Sequence, residues 1–497
     1  MVATIAAACD FANNGTFTLV SGGTDYDVLK VRDVSGITIE RGRDGSRMLS
    51  PLKAGKIFGT LDNTDRRLSP GNTSSPLYGY VVPGRKVRVQ MVDGVTTYPI
   101  AWGLLSEIAR NPGNLDRSAS LDALGLLSEL LSAEHGGSAL YQNITTDVAF
   151  GYVLDAAGLT DVSIRTFSTG KTTLRWFWIA KSDNLFDLAN TILSSEGPGA
   201  SIYEGKAGTI HFEDRQYRSV TARCTTSQHT ITDVGAEPHI ADNPPPIYRD
   251  GRTDIINLVN LTHRTRAAQT LAQIWASADT VTLGPFAVRT YPVVTSDGGP
   301  FTAAVTPTTG ASDYTLLSGA VTPALDRTSG STATLTMTAG AAGCSYSGLR
   351  VRAQPVTVTY ETSITSTIDT TASRAAYRTK PFTLTTRAEI DTETLRDFAN
   401  ASVGLYKEPR PAIEITVQAF NSARLSVILN IEISDRITIQ EADSGVNADY
   451  FVNHLTFNLG RPVQSVTMRC ELASSTVFWR LGIPGLSELD TTTVLGF

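Results

Sequence analysis

The sequence predicts a multidomain protein, mainly β with one α+β unit. Three observations carry this prediction. At 497 residues the chain is too long for one ordinary core and has room for about three or four domains. Its 41 glycines accompany abundant Thr, Ser and Val and a charged fraction of only 18%, a composition of many short strands and turns. The hydrophobic period is two over most of the chain and switches to the helical period in a few bounded stretches.

The same composition excludes several function classes. A formal net charge of −6 gives no global case for a nucleic-acid-binding surface. The arginine clusters at 41–47, 66–67 and 85–88 read as solvated faces or interface ion pairs. Cys9, Cys224, Cys344 and Cys470 are widely spaced, and the six histidines are scattered, so buried free thiols and no metal site or cofactor are expected. The apolar start Val2–Cys9 lacks a basic flank and is too short for an export signal, and no apolar run is long enough for a membrane-spanning helix.

Taken in order, residues 1–35 supply one or two lead-in strands. Val34–Arg41, with Ile37 and Ile39 on one face, then Leu52–Leu61, Val87–Met91 and Tyr98–Ile108 make a small antiparallel barrel or sandwich, stopped by Asn111-Pro112-Gly113-Asn114. Arg117–Ser132 carries Leu121, Leu124, Leu127 and Leu131 at helical spacing and predicts an amphipathic helix. Thr145–Ala157 predicts a second helix, with Val148, Tyr152, Val153 and Ala156 inward, and Asp183–Glu196 a third, with Leu185, Leu188, Ala189, Ile192 and Leu193 inward. With strands at Thr173–Ile179 and Ala200–Glu213, these make the α+β unit. Pro244-Pro245-Pro246 is a stiff extended linker. Thr/Ser/Gly-rich alternation over 285–363 predicts an inserted β-sandwich. Thr392–Tyr406 is a fourth helix, with Leu395, Phe398, Ala399 and Val403 inward, and strands follow Pro411 to Glu471.

One stretch is more specific than the rest. Ile57–Gln90 runs from a strand into Asp62-Asn63-Thr64-Asp65-Arg66-Arg67, through a Pro/Gly/Asn/Ser-rich loop containing Pro70 and Pro76, and out through Pro83-Gly84 into alternating Lys86–Gln90. It reads either as a decorated hairpin or as a loop held in one shape for a partner. A second echo lies far along the chain. Pro83-Gly84-Arg85-Lys86-Val87-Arg88-Val89-Gln90, followed by a hairpin into Pro99–Ser106, has the layout of Ile433-Ser434-Asp435-Arg436-Ile437-Thr438-Ile439-Gln440, followed by Phe451–Asn458.

The order L-D-N-T-D-R-R-L-S-P-G-N-T-S-S-P-L-Y-G, then V-P-G-R-K-V-R-V, resembles the N-terminal domain of tail hub proteins, the minor tail or baseplate hub proteins of long-tailed, siphovirus-type phages, especially those of actinobacteria. Leu154-Asp155-Ala156-Ala157-Gly158, Thr169-Gly170-Lys171-Thr172-Thr173-Leu174 before Trp176, and Phe212-Glu213-Asp214-Arg215 extend the resemblance, and Trp479-Arg480-Leu481-Gly482-Ile483-Pro484-Gly485 is similar to the family's C-terminal end. It covers 35–235 well, 378–497 less closely and the insertion not at all. The resemblance implies two related β-barrel hub domains, at 1–112 and at 241–284 with 364–475; the α+β domain at 113–240 lies between them, and the sandwich read from composition at 285–363 interrupts the second. A C-terminal arm follows at 476–497, either a strap on its own chain or an arm on a neighbour.

It further implies a non-enzymatic virion protein at the distal tail tip. This would be a homotrimeric adaptor ring whose partners are the distal tail or tube protein, the tape measure protein and receptor-binding parts. No nucleophile elbow or phosphate-binding glycine loop argues for chemistry. Asp65, Arg66 and Arg67 are the leading interface residues, because the loop they open is long and off the core. Asp62, Asn63, Pro70, Arg85, Asp435, Arg436 and Trp479 complete the set. The competing expectation is a peripheral tail protein that binds host-surface carbohydrate through the sandwich.

Overall fold

The computed structural model describes residues 3–473, apart from 22, 44, 48, 112, 114–116, 234–239, 241–243, 252–253 and 386–388, and the backbone of 477–478 and 493–494. Trp479 and the proposed arm therefore lie outside the described residues. Strands dominate, in several sheets.

Alternation writes the first strands: β1 (Thr4–Cys9), β2 (Ile37–Gly42), β3 (Lys56–Asp62), β4 (Lys86–Asp93), β5 (Thr96–Arg110) and β6 (Ser118–Leu124). In β4, Val87, Val89 and Met91 are buried while Lys86, Arg88 and Gln90 reach outward. The last strand corrects the sequence expectation of a helix over Arg117–Ser132. Ala119, Leu121 and Ala123 alternate into the core, and β6 is paired to β3 on one edge and β5 on the other. Only a 3-10 turn at Leu126–Ser128 and a short helix at Glu129–Ser132 follow. Two hydrogen-bonded edges outweigh the leucine spacing.

The chain continues through α1 (Thr146–Ala156), α2 (Leu185–Glu196), β7 (His229–Thr232), β8 (Ile247–Arg249), β9 (Leu258–Ala268), β10 (Leu349–Thr365), α3 (Thr392–Tyr406), β11 (Ala412–Gln418), α4 (Ser422–Asn430), β12 (Arg436–Glu441), β13 (Val446–Leu459) and β14 (Ser465–Leu472). Asn184 caps α2 by accepting from the Phe186 and Asp187 N–H groups, and Asp391 caps α3 in the same way. Both helices bury the residues expected of them. α1 is rotated from expectation: Ala149, Phe150, Val153 and Leu154 face inward, and Val148 is exposed. α4 occupies a stretch expected to be strand; Asn421 caps it, and Leu425, Ile428 and Leu429 are its buried stripe. α1, α2 and α3 share one hydrophobic cluster with β9. All four cysteines are free and buried.

The two echoing segments share a 13-stranded sheet and one hydrophobic cluster rather than standing apart. The sheet runs β8-β11-β14-β13-β2-β3-β6-β5-β4-β1 and ends on the two-residue strand Val28–Leu29 beside β1, with β12 branching from β13 and β7 from β12. Within it the same four-strand Greek key occurs twice. β3, β4, β5 and β6 lie in the order β4-β5-β6-β3, and β11, β12, β13 and β14 in the order β12-β13-β14-β11, with every pair antiparallel.

The match extends to single residues. Lys86 faces Leu104 as Arg436 faces Phe451. Gly84 and Ser434 both have positive φ (80° and 68°) and donate their N–H groups to the Leu105 and Val452 carbonyls at 2.7 and 2.8 Å. The Leu105 and Val452 N–H groups return bonds to Arg85 and Asp435. One residue then bulges in each strand, Ser106 in β5 and Asn453 in β13. The counterpart of Phe451 is thus Leu104, five residues beyond the Pro99 suggested by sequence. The outer strands match too: Glu40 of β2 faces Lys56 as Arg249 of β8 faces Ala412.

The repeats join where β2 lies against the second half of β13, with Ile37 opposite Leu459 and Gly42 opposite His454. The inserted sandwich has its own core, including Tyr291, Phe301, Leu335, Met337, Tyr346 and Val351, with Ile274 and Trp275 packed on it. Its strands run from Ala272 into β10, which pairs with Ala272–Ser277 through Ala353 and with β9 from Val356 onward. Of the six aromatics within 285–363, the residue type a sugar platform requires, Tyr291, Phe301, Tyr314 and Tyr346 are buried; Phe286 and Tyr360 are exposed.

Candidate assembly surface

The loop after β3 is fixed on its own chain. Asn63 is buried; its Oδ1 accepts the Leu68 N–H at 3.0 Å and its Nδ2 donates to Ser69 Oγ at 3.2 Å. Arg67 is buried and donates to the Val28 carbonyl at 2.9 Å, while Ser75 Oγ donates to the Arg67 carbonyl at 2.7 Å. Successive turns at Asn63–Arg66, Arg66–Ser69, Ser69–Asn72, Asn72–Ser75 and Ser75–Tyr78 close i to i+3 bonds, and Leu68 and Leu77 anchor the loop in the core. Asp65 pairs with Lys30 at 2.8 Å. Burial works upward on its carboxyl, but the hydrogen bonds from Lys30 and the Arg67 N–H, with both their charges, hold it below the ordinary range.

What this fixed loop presents outward is Thr64, Arg66 (φ 57°), Pro70, Tyr78, Tyr80 and Val82, all exposed, with Asp62 and Arg85 partly so. The expected interface residues therefore divide. Asp65, Arg66 and Pro70 are on the surface, whereas Asn63 and Arg67 shape the loop from beneath.

Asp435 and Arg436 belong to the equivalent turn of the second repeat. Asp435 is buried; it accepts from Arg223 Nε at 2.7 Å and from the Glu432 N–H at 2.7 Å. Burial pushes its carboxyl up to about 6 against the pull of Arg223. Arg436 is half-buried and bonds Asp449 at 2.7 Å.

Arg41, Arg43 and Arg47, which read as surface or interface charges in sequence, are the internal clamp of the molecule. Arg41 donates to the Glu204 carbonyl at 2.8 and 3.1 Å and pairs with Glu432. Arg43 donates to the Ala200 and Ser50 carbonyls. Arg47 pairs with Asp254 at 2.8 Å. The bulge residue Asn453 accepts from Arg218 at 2.8 Å and donates to the Ser46 carbonyl at 2.6 Å. First repeat, α+β unit and second repeat meet at these side chains. In this cluster burial pushes Glu204 up to about 6 and His211 down to about 4. A buried pair of this kind fixes geometry more surely than it adds net stability.

Sequence reasoning did not find the two open sheet edges. Among the described residues β8 pairs only with β11, and the second half of β5 only with β6. A groove of about 520 Å³ lies along Arg249, Asp250 and Gly251, lined also by Gly45, Ser46 and Arg47. The signal present in sequence was the shared Gly-Arg closing β2 and following β8, in Ile39-Glu40-Arg41-Gly42-Arg43 and Tyr248-Arg249-Asp250-Gly251-Arg252.

No family model and no curated protein matches the sequence. Solved structures do. The tail protein from Neisseria meningitidis MC58 is 11% identical, with 95% of this chain and 97% of that one covered and a TM-score of 0.49. The 43 kDa tail protein of prophage MuSo2 from Shewanella oneidensis is 10% identical over 94% and 97%, at 0.46. The prophage tail protein gp18 from Listeria monocytogenes EGD-e is 8% identical over 94% of each chain, at 0.41.

Proposed function

We propose that this chain is a structural hub of a phage tail, acting without chemistry as a trimeric adaptor ring at the distal end. The ring joins the tube or distal tail protein above to the tip and receptor-binding proteins below. The observation that carries the reading is the repeated Greek key, two equivalent units side by side in one sheet. A chain built this way supplies two similar segments of a ring, so three copies present six similar faces toward a sixfold tube while keeping threefold symmetry toward the tip. The hub-like run from Leu61 to Val89 supports the reading because it lies within the first repeat and carries a fixed loop with an exposed face. That face, with Asp65, Arg66, Pro70, Tyr78 and Tyr80, is the proposed contact with a neighbouring tail protein.

Negative-stain imaging of the purified protein, with its mass in solution, tests this. A threefold ring of three chains' mass around a central hole is expected. A monomer at all concentrations, with no ring on addition of the matching tube protein, would overturn it. The carbohydrate reading is the weaker, because four of the six aromatics on which it would rest fill strand cores.

A further inference from the structure

We propose that the second copy of the chain docks by strand pairing, β8 of one copy adding to the Ser106–Asn111 edge of β5 in the next, in the register that β2 and β13 already use inside each chain. This rests on the ring reading above and names its joint.

The two repeats are equivalent strand for strand but not edge for edge. β2 is flanked by β3 and β13, so both its edges are paired. Its counterpart β8 is flanked by β11 alone among the described residues. β13 holds β14 on one edge, and on the other β12 before the bulge and β2 after it. Its counterpart β5 holds β6 on one edge and β4 on the other up to Leu104, and among the described residues no strand lies beside Ser106–Arg110. Each repeat thus lacks what the other has: the first has an acceptor edge without a strand, and the second a strand without an acceptor edge. A chain cannot satisfy both within itself, but a neighbour related by the same displacement satisfies both at once, head to tail.

The bulge gives the polarity. At the internal joint the Arg43 N–H donates to the Asn453 carbonyl at 3.0 Å, so alternate residues after the bulge point their backbone groups toward β2. By the same geometry Ser106, Ile108 and Arg110 point theirs at the open edge. Ser106, Glu107 and Ala109 are exposed there, as are Ile247 and Arg249 on β8 and Asp250 just after it. Transferring the internal register places Glu107 opposite Gly251, Ile108 opposite Asp250, Ala109 opposite Arg249, Arg110 opposite Tyr248 and Asn111 opposite Ile247. Charges then agree on both faces, with Glu107 diagonal to Arg249 on one, and on the other Asp250 diagonal to Arg110, whose Nε already donates to the Leu68 carbonyl at 2.7 Å. Gly251 stands where Gly42 stands in the internal joint, and there an added Cβ would lie 2.4 Å from the Asn453 carbonyl oxygen.

The test is a register-specific disulfide in the full chain. Ala109 and Arg249 form a non-hydrogen-bonded pair, the close spacing a disulfide spans, and the native thiols are buried. The A109C/R249C protein, oxidised mildly and run on a non-reducing gel, should give a ladder ending in a closed covalent trimer. A109C/Y248C, whose side chains emerge on opposite faces, should not. A second measurement reads charge: Glu107→Arg should weaken association about tenfold, and adding Arg249→Glu should restore it. Trimers by mass without the A109C/R249C link, and indifferent to the charge swap, would overturn this joint and leave the ring reading intact. Monomers without a link across the concentration range would overturn both. A specific link in a protein that is otherwise monomeric would support the joint and reject a stable ring in solution.

Discussion

Gly42 lies at φ 103°, and a Cβ built there would meet the Asn453 carbonyl oxygen at 2.4 Å, backbone that cannot give way. Gly42→Ala should therefore destabilise the fold by more than about 1 kcal/mol, read as a lower urea midpoint at unchanged slope. His211 offers a pH-dependent test. Burial holds its imidazole down to about 4, while its ring stacks on Tyr203 at 4.7 Å. In the unfolded chain it titrates near its ordinary 6.5. Between these values the unfolded state binds the extra proton, so stability from this group is present above 6.5 and is lost as pH falls toward 4. Glu204 and Asp435, raised to about 6, act in the opposite sense over much of the same window. His211→Phe, which keeps the stack, should lose less stability than the wild type on acidification from pH 6.5 to 4.5, followed by urea midpoints. Parallel curves would reject the assignment. None of this cluster was legible in the sequence, because the partners of Arg41, at 204 and 432, are distant in the chain and only the fold brings them together.

The loop after β3 separates shape from contact. Asn63→Ala leaves the Leu68 N–H without its acceptor in a buried site and should cost about 1–3 kcal/mol. Arg66→Ala, at an exposed position, should leave the thermal midpoint unchanged and weaken association with the proposed tail-protein partner, measured by co-sedimentation. The loop was legible because Asx, Pro and Gly announce turns locally. β6 was not, because alternating alanines on its inward face give a faint period-two signal beneath leucines at helical spacing. α4 had a readable start in Asn421 and a stripe in Leu425, Ile428 and Leu429, but it is short and set between strong strand signals. α2 and α3 were read correctly because each combines a capping side chain with a full apolar stripe.

At the scale of the whole molecule, the repeat was half visible. Sequence aligned β4 with β12 correctly, since Val87, Val89 and Ile437, Ile439 alternate alike, but misplaced the partner strand because the bulge carries no local signature. The sandwich permits a clean excision. The Gln269 N–H bonds the Pro355 carbonyl at 2.9 Å, and Ala268 faces Val356, so the base closes where the insertion leaves it. Replacing 270–354 by an Asn-Gly turn should give a folded chain that retains assembly, since its core is separate from the other clusters. Loss of the cooperative unfolding transition would show instead that the base depends on it. The way the sandwich is mounted has a mechanical consequence. β10 crosses from base to sandwich within a single strand of 17 residues, about 55 Å of extended backbone, with no linker at the crossing. A module on a tether would swivel under load and dissipate it. This one is braced at two points: a pull on its far end loads the base at Gln269 and Pro355, where the β9–β10 ladder from Asn260 to Ala268 must hold or yield together, and the Gly330 N–H bond to the Ser138 carbonyl at 2.6 Å.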